Sequence, residues 1–555
     1  MRRASGSTKR SRPAARAISF LALCLTLAAC PGGGSGKPGR GNGPKPVAGG
    51  ELVVAYPYEP TTLNPFVSGG DAPPTLDLVR PLMPALYRLG PKGARTPWLL
   101  AGEPAASDIG GTPFSVRLHL RDDAVWSDGQ PITASDLRFT WQAVMGSPGI
   151  AIRDGYDRLS DVAVESPKVA RLVFKAPFAR WRDLFSAGLG VLPSHALLRT
   201  DISKALTRSW PVSGGPYVLR AWTPGLEMVF ERNPNAWGSK PLLDRIRVQF
   251  VADPVTAAQL YREGQVDIVA PYAAGDWKRR VTVARSGSQV TSDRGATWVG
   301  LFLNVRSGAL ADVRVRRALA LAMDRPAIVE GLVRDEGEFL DAPSGGDPAR
   351  TTPSFSRYGY VPGTADRLLG AAGWKSSGKT EKRTKAGHKL TFTVASVAGD
   401  ELMQRVLRAM NAQAGSLGID LNIVGLDSDL LWGSWVHGSR FEAALLIERD
   451  PPGGATRARL GLAGPHNISR VSDAKLRGLL DGADRTLDDA APAVDAPFAR
   501  VAELVPVIPM FRLEAVMAAR LGVHEVTANA AADGFLWNVE QWWVEGGTSP
   551  SPAAS

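Results

Sequence analysis

Cysteine is almost absent from this sequence, which has two in 555 residues. Cys24 lies inside an apolar run near the start of the chain, and Cys30 closes that run. Removal of the run as an export signal would leave one cysteine, so the mature chain could form neither an internal disulfide nor a cysteine-based metal site. The sequence therefore predicts a body held together by its core, for which about 500 residues are ample.

Histidine is also scarce, and catalytic motifs are missing. No two histidines have the i,i+4 or zinc-type spacing of metal ligands, and there is no G-x-S-x-G nucleophile elbow. The six histidines are His119, His195, His388, His437, His466 and His524. We therefore predict no catalytic residue, no metal site and no cofactor, although carboxylates are plentiful and an enzyme is not excluded.

Excess positive charge is confined to the start of the chain. The formal net charge is +11, but six of the cations precede the apolar run and no acid lies among them. Without them, 59 Lys and Arg stand against 54 Asp and Glu, a net charge of +5. This value is modest for the size and does not indicate a nucleic-acid partner.

The first 29 residues have the pattern of an export signal. A cationic segment is followed by an apolar run that is too short to span a bilayer as a permanent helix. The alternative, a buried N-terminal helix, fits poorly with the leading cations. Leu27-Ala28-Ala29-Cys30 resembles the bacterial lipobox, which implies that Cys30 is acylated and holds the chain on the outer face of the cell membrane.

Two segments lack the composition of a folded body. Residues 31–50 contain nine Gly and four Pro, which is typical of a flexible tether. We assign residues 30–50 to the lipidated cysteine and this tether, and residues 548–555 to a disordered tail. Everything between them is predicted to fold.

Apolar periodicity predicts an α/β body. Period-two alternation over residues 114–120 and 245–250 indicates strands. A stripe at three- and four-residue spacing from Met403 to Leu417 predicts a helix, flanked by strands at 389–394 and 419–426 in a β-α-β unit. A second helix is expected from residue 315 to about residue 333.

Residues 373–380, GWKSSGKT, match the phosphate-binding loop G-x-x-x-x-G-K-T literally. A working loop follows a strand and opens a helix at its Lys-Thr. Here the preceding residues 364–372 have a helical pattern, and the following residues 381–389 are a charged connector. We interpret the match as a coincidence in a surface loop.

Eight segments, read in order, resemble one family. They are PTTLNPF (60–66), LRDDAVWSDGQPITASDLRFTW (120–141), VLPSHAL (191–197), PVSGGPYVL (211–219), ERNPNAW (231–237), GQVDIV (264–269), DVRVRRALALAMDR (312–325) and VPVIPMF (505–511). Together they resemble the oligopeptide- and dipeptide-binding proteins of ABC importers, over nearly all of residues 51–545. Thr133 is a good N-cap for the helix that follows it, so these motifs identify the fold more than the site.

The resemblance implies an α/β, two-lobed periplasmic-binding-protein-like fold with an extra small domain and a ligand cleft between the lobes. Lobe I would comprise residues 47–85, 209–297 and 510–547, the extra domain 86–208, and lobe II 298–509. Two crossings between the lobes would act as a hinge, so that ligand binding shifts an open ensemble toward a closed one.

The resemblance also implies ligand-binding candidates. Asp450 is the nearest match to an acid that meets a peptide's amine, although it stands one residue early. The remaining candidates are a cleft-facing Glu59, a carboxylate-binding Arg449, pocket walls at Trp432 and Trp435, and Trp298 at the crossing. Five of the six have a structural alternative: Asp450 as a turn residue, Glu59 as solvated surface, and the three tryptophans as core.

Taken together, the sequence predicts a lipid-anchored, extracytoplasmic solute receptor, not an enzyme. It would deliver a small ligand, most simply a short peptide, to the permease subunits of an ABC importer, as a monomer. Two alternatives remain: a sensor of the same fold that signals the presence of a peptide or nutrient, and an exported enzyme on a binding-protein scaffold.

Overall fold

The computed structural model describes residues 44–151, 153–186, 188–272, 276–334, 337–344, 353–376, 378, 381–427, 430–438, 440–450, 467–487 and 492–547. The predicted signal segment, Cys30, most of the tether and the tail at 548–555 lie outside these residues. Within the described ranges, no helix combines the length and the apolar character needed to cross a membrane.

The strands are distributed along the whole described chain. They are β1 Glu51–Tyr56, β2 Tyr87–Leu89, β3 Arg95–Pro97, β4 Ile109–Gly110, β5 Ser115–His119, β6 Leu159–Ser166, β7 Val169–Phe174, β8 Tyr217–Thr223, β9 Glu227–Arg232, β10 Arg245–Phe250, β11 Ile268–Val269, β12 Gln289–Leu303, β13 Gly337–Phe339, β14 Thr384–Lys385, β15 His388–Lys389, β16 Thr391–Val397, β17 Asp420–Leu426, β18 Ala443–Arg449, β19 Val507–Ala519, β20 Val523–His524 and β21 Trp543–Val544.

Helices lie between the strands. They are α1 Pro73–Val79, α2 Ala134–Gly146, α3 Ser194–Leu197, α4 Pro254–Glu263, α5 Trp277–Ala284, α6 Val313–Leu321, α7 Arg325–Leu332, α8 Pro362–Ala371, α9 Glu401–Gly415, α10 Ala474–Arg485 and α11 Pro492–Leu504. A π-helical segment covers Leu430–His437, and short 3₁₀ turns include Tyr156–Arg158 and Ala179–Asp183. The mixture confirms the predicted α/β class.

One large sheet runs through both lobes in the order β17-β16-β18-β12-β19-β11-β1-β10-β9-β8, with β13 beside β19. Strand β1 pairs in parallel with β10 and β11, and β16 pairs in parallel with β17 and β18. Strands β12 and β19 are antiparallel to each other along most of their length and occupy the middle of the sheet. We call the part of the chain packed around the β1 side the first lobe, and the part around the β16 side the second lobe.

Alternation along β1 explains how the first lobe is layered. Leu52 and Val54 belong to a large core on one face of the sheet, and Ala55 belongs to a smaller core under α4 and α5 on the other face. Successive side chains of a strand point to opposite faces, so a strand covered on both sides is apolar at consecutive positions.

A second sheet, in the order β4-β5-β7-β6, packs with α2 against the same large core of the first lobe. Asp136 connects two of the family-like segments, 120–141 and 191–197. Its carboxylate accepts hydrogen bonds from the Thr133 N–H (2.8 Å) and from the Ser194 N–H (2.9 Å). Asp136 is buried, so the stretch around it serves the architecture of this region.

The second lobe contains the predicted β-α-β unit, which is confirmed: β16, α9 and β17 follow in order, and the two strands pair in parallel. The buried side of α9 includes Met403, Val406, Leu407, Met410 and Ala414. The single helix expected from residue 315 to about 333 was wrong. Asp324 caps a new helix and Pro326 stands in its first turn, so the segment divides into α6 and α7.

The chain passes between the lobes on β12 and β19. The register of this pair shifts between Arg294 and Trp298 and again between Val299 and Gly300. Phe511 packs in the second lobe's core, whereas Met517 packs in the first lobe's core. The two strands thus connect the lobes through a ladder that is irregular where they cross.

The GWKSSGKT stretch follows α8 and leads to the β14–β15 hairpin. A helix stands where a phosphate-binding loop needs a strand, which agrees with the interpretation of the match as coincidental. Ser377, Lys379 and Thr380 of this stretch lie outside the described residues.

Candidate functional site

A cavity with a volume of about 110 Å³ lies where the two lobes meet at the crossing strands. The first lobe contributes Tyr56, Tyr58, Pro73, Pro74, Asp77, Pro271, Tyr272 and Phe535. The second lobe contributes Val397, Asp400, Met403, Trp432, Leu445, Leu446, Ile447 and Arg449, and the crossing strands add Thr297, Leu513, Glu514 and Ala515. Both lobes therefore enclose the space, as a closing cleft requires.

Arg449 and Asp77 form an ion pair across the cleft. Arg449 ends β18 of the second lobe, and its Nη1 bonds Oδ1 of Asp77, which lies in α1 of the first lobe. The side chains are 13% and 3% exposed, and the Tyr56 hydroxyl donates to the same carboxylate at 2.8 Å. Burial acts to lower the pKa of Arg449, but the charge of Asp77 outweighs it and the pKa lies above its usual value.

Asp400 supplies a second carboxylate, which differs from Asp77 in its hydrogen-bond and ionic partners. It caps α9 and accepts a hydrogen bond from the Met403 N–H at 3.0 Å, and no cation of the described chain forms an ion pair with it. Because burial removes water from the carboxylate, its pKa rises to about 6. Tyr58, on the opposite wall, has a raised pKa because of burial and of the negative charge of Asp400.

Glu514 is the third carboxylate at the cavity and stands on the crossing strand β19. Its Oε1 lies 3.5 Å from Nζ of Lys278 and 3.7 Å from Nε of Arg294. Of the three cavity carboxylates, Asp77 and Glu514 therefore have cationic neighbours, and Asp400 has none in the described part of the chain.

Two of the six ligand-binding residues predicted from the sequence line this cavity, namely Trp432 and Arg449. Trp435 is partly buried and packs against the core of the second lobe. Glu59 accepts hydrogen bonds from Trp222 Nε1 (2.8 Å) and the Gly225 N–H (2.9 Å), so its carboxylate binds the β8–β9 hairpin.

The structure brings Trp298 and Asp450 together, but not at the cavity wall. The Trp298 indole is buried and donates from Nε1 to Asp450 Oδ1 at 2.7 Å, and the Ser344 hydroxyl donates to the other oxygen at 2.6 Å. Residues 451–466, which follow Asp450, lie outside the described residues.

The sequence reasoning did not find Tyr58, Asp77 or Asp400. A signal existed for Asp400, because Asp before Glu401 and an apolar stripe is typical of an N-cap. That signal predicts a helix start and says nothing about a cavity. Among the residues that the structure describes, no group of three or more His, Cys, Asp or Glu side chains is placed to hold a metal ion.

The two lobes, the crossing strands and the enclosed cavity define a solute-binding protein of the two-lobed class. The sequence pattern of the bacterial extracellular solute-binding proteins, family 5 (middle region), matches residues 104–446. The chain belongs to this family, whose members serve ABC importers as solute-binding components.

Relatives are similar over most of their length. Protein XP55 of Streptomyces lividans is 27% identical over 424 residues, covering 75% of this chain and 74% of that protein. The oligopeptide-binding protein AppA of Bacillus subtilis is 24% identical over 424 residues, covering 74% and 76% of the two chains.

Solved structures share the fold. AppA in complex with a nonapeptide superposes with a TM-score of 0.80 at 20% identity, covering 90% of this chain and all (100%) of that one. NikZ from Campylobacter jejuni in complex with Ni(L-His) gives a TM-score of 0.76 at 21% identity, covering 89% and 99%. These two neighbours hold a peptide and a metal–amino-acid complex, so the shared fold does not define the ligand.

Proposed function

We propose that this chain is the cargo receptor of an ABC importer, anchored through an acylated Cys30 outside the cell membrane, and that its cargo is a short peptide. The receptor performs no chemistry on the cargo. Permease subunits in the membrane accept the cargo, and separate cytoplasmic subunits hydrolyse ATP.

The cavity between the lobes is the observation that carries this proposal. Its walls come from both lobes, and β12 and β19 connect them beside it. A ligand that contacts both walls favours the closed arrangement by the difference in its affinity for the two states. A micromolar dissociation constant corresponds to about −8 kcal/mol, which permits both capture and release.

Peptide as cargo is supported by the chemistry of the walls. Apolar and aromatic side chains can cover a peptide's side chain, and an acidic group can bind its amine. The relative AppA is named for oligopeptide binding, which is consistent with this assignment.

Native mass spectrometry of the full-length protein, purified from membranes of the producing cells, tests the cargo. We expect short peptides to co-purify and to raise the melting temperature when they are added back. If no peptide co-purifies, and peptide libraries leave the melting temperature unchanged, the peptide assignment fails.

The anchor has its own test. Mass spectrometry of the membrane fraction should find an acylated N-terminal peptide that begins at Cys30. Cys30→Ala should move the protein from the membrane to the soluble fraction with its melting temperature unchanged. A Cys30→Ala protein that stays on the membrane would contradict lipid anchoring.

A further inference from the structure

The charges at the cavity wall are unequal. Among the residues that the structure describes, three carboxylates line the cavity, those of Asp77, Asp400 and Glu514, but only one guanidinium does, that of Arg449. Arg449 is committed to Asp77, with a second contact from Nη2 to Oδ2 at 3.4 Å. An incoming carboxylate would have to compete with Asp77 for Arg449, whereas an incoming cation finds Asp400 without an ionic partner in the described chain.

The remaining wall is suited to a cation with an apolar body. Aromatic side chains line the cavity from both lobes: Tyr56, Tyr58, Tyr272 and Phe535 from the first, and Trp432 from the second. Aromatic faces attract ammonium groups, and more strongly where water is excluded. A neutral sugar would leave Asp400 charged and uncompensated in the closed cleft.

The volume limits what the closed cleft can enclose. A cavity of about 110 Å³ is similar in size to an engineered protein cavity of about 150 Å³ that holds one benzene molecule. The enclosed part of the ligand is therefore about the size of one amino-acid residue. A long peptide would not fit inside this closed arrangement.

We propose that the cavity takes a small ligand with one free ammonium group and an apolar body, such as the N-terminal end of a dipeptide, and that Asp400 is the counter-ion of that ammonium. This inference rests on the proposed function and narrows it. It assigns the amine to the cap of α9, not to Asp450, which binds Trp298 and Ser344.

The same charge links binding to closure. Closing the cleft without a cation removes water from ionised Asp400, and a ligand ammonium offsets that cost. In the described part of the chain, the other titratable groups lining the cavity are Tyr56, Tyr58, Tyr272, Asp77, Arg449 and Glu514. The tyrosines with resolved shifts, Tyr56, Tyr58 and Tyr272, have pKa values above their usual value because of burial. They therefore stay neutral while Asp400, whose pKa is about 6, titrates.

Calorimetric titration of the full-length protein with dipeptides that carry an apolar first residue, and with their N-acetylated counterparts, tests the proposal. We expect N-acetylation to weaken binding to the wild type by at least about 100-fold. Asp400→Asn should weaken binding of the free-amine dipeptides by about 30-fold or more and remove the discrimination. Asn is as good an N-cap as Asp, so α9 should keep its start and the variant should fold.

Asp253→Asn is the matched control, because Asp253 caps α4 in the same way and does not line the cavity. It should bind every dipeptide like the wild type. In the wild type, affinity for free-amine dipeptides should also fall as the pH drops through about 6. Asp400→Asn should lose this dependence.

Asp450→Asn separates the two candidate acids. If Asp450→Asn abolishes the preference for a free amine and Asp400→Asn preserves it, the assignment to Asp400 is overturned and the expectation from the sequence stands. Equal binding of free and acetylated dipeptides overturns the ammonium proposal while the receptor function survives. The proposed function itself fails if no peptide of any length or end group binds.

Discussion

Two charged contacts between the lobes, both among the described residues, differ in burial. At the cavity, Arg449 and Asp77 are 13% and 3% exposed. At the rim, side chains from two 3₁₀ turns of the first lobe contact α10 of the second lobe. Arg158 Nη2 lies 2.7 Å from Asp481 Oδ1 with both side chains 31% exposed, and Arg180 Nε lies 3.0 Å from Asp484 Oδ1 with side chains 16% and 8% exposed. We call these the cavity pair and the rim cluster.

The difference in burial gives the two contacts different roles. Water and salt screen an exposed pair, which is worth about 0–1 kcal/mol. A buried pair is shielded from salt, and removing one partner leaves a charge without compensation, at a cost of about 3–5 kcal/mol. The cavity pair therefore fixes the closed geometry, whereas the more exposed Arg158–Asp481 pair of the rim cluster adds a weak attraction that depends on ionic strength.

Arg449→Met should have the largest effect, because it leaves Asp77 in the closed cleft without its cation. Opening lets water reach Asp77, so we expect the lobes to separate rather than the chain to unfold. The free energy of the closed state relative to the open state should rise by about 3–5 kcal/mol. Small-angle X-ray scattering should show a larger radius of gyration, and affinity for dipeptides should fall by more than about 100-fold.

Arg520→Met is the control for this variant. Arg520 forms a buried pair with Asp267 inside the first lobe, with side chains 9% and 6% exposed. Its loss should lower the melting temperature and leave the radius of gyration unchanged. If both variants open the cleft equally, the cavity pair has no special role in closure.

Adding Asp77→Asn to Arg449→Met should restore much of the stability of the closed state that Arg449→Met alone removes. The double variant has no uncompensated charge, and the amide oxygen can still accept from the Tyr56 hydroxyl. Scattering should place the double variant between the single variant and the wild type. A double variant more open than Arg449→Met would show that the cost does not come from the Asp77 charge.

Asp400→Asn should have a smaller effect than Arg449→Met, and in the opposite direction. It should stabilise the ligand-free protein. The pKa of Asp400 is about 6 in the fold, above its ordinary value of 3.8, so folding is penalised when the group is ionised. The penalty is absent below about pH 4, grows between pH 4 and 6, and is full above that range. Urea unfolding at about pH 7.5 should show a gain on the order of 1–2 kcal/mol, discounted for the partial exposure of the group.

This gain should vanish at about pH 4, where both proteins are neutral at this position. Burial also raises the pKa of Asp183, whose Oδ2 lies 3.9 Å from Arg180 Nη1, to about 6. Asp183 is present in both proteins, so its titration cancels in the difference between them. A gain that does not change with pH would mean that the Asp400 charge is not its source.

The sequence predicted elements better than contacts, and the reason is physical. Alternation and the helical stripe are local patterns, so β16, α9 and β17 could be inferred from the sequence. The α6–α7 break was missed because an apolar stripe was given more weight than Asp324 and Pro326. The cavity combines Tyr58, Asp77, Asp400 and Arg449 from distant parts of the chain, and no local pattern records such contacts.

Arg449 and Asp450 show how one residue changes a prediction. Both were candidates for binding the ligand, and they are consecutive at the end of β18. Consecutive side chains along an extended segment point to opposite sides. Arg449 therefore reaches the cavity, while Asp450 reaches Trp298. The role of Asp450 in ligand binding stays a prediction, which the paired Asn variants test.

Arg158→Gln should have the smallest effect and should change the salt dependence of closure. The pair with Asp481 is partly exposed, so its loss should destabilise the closed state by about 0.5 kcal/mol at low salt. At about 500 mM NaCl the wild type has already lost most of this attraction to screening, because the Debye length is then only about 4 Å. Dipeptide affinities of variant and wild type should therefore differ about twofold at about 20 mM NaCl and converge at high salt. If the difference in affinity persists at high salt, the Arg158–Asp481 contact contributes to closure independently of salt, as the cavity pair does. The distinction between the cavity pair and the rim cluster would then not hold.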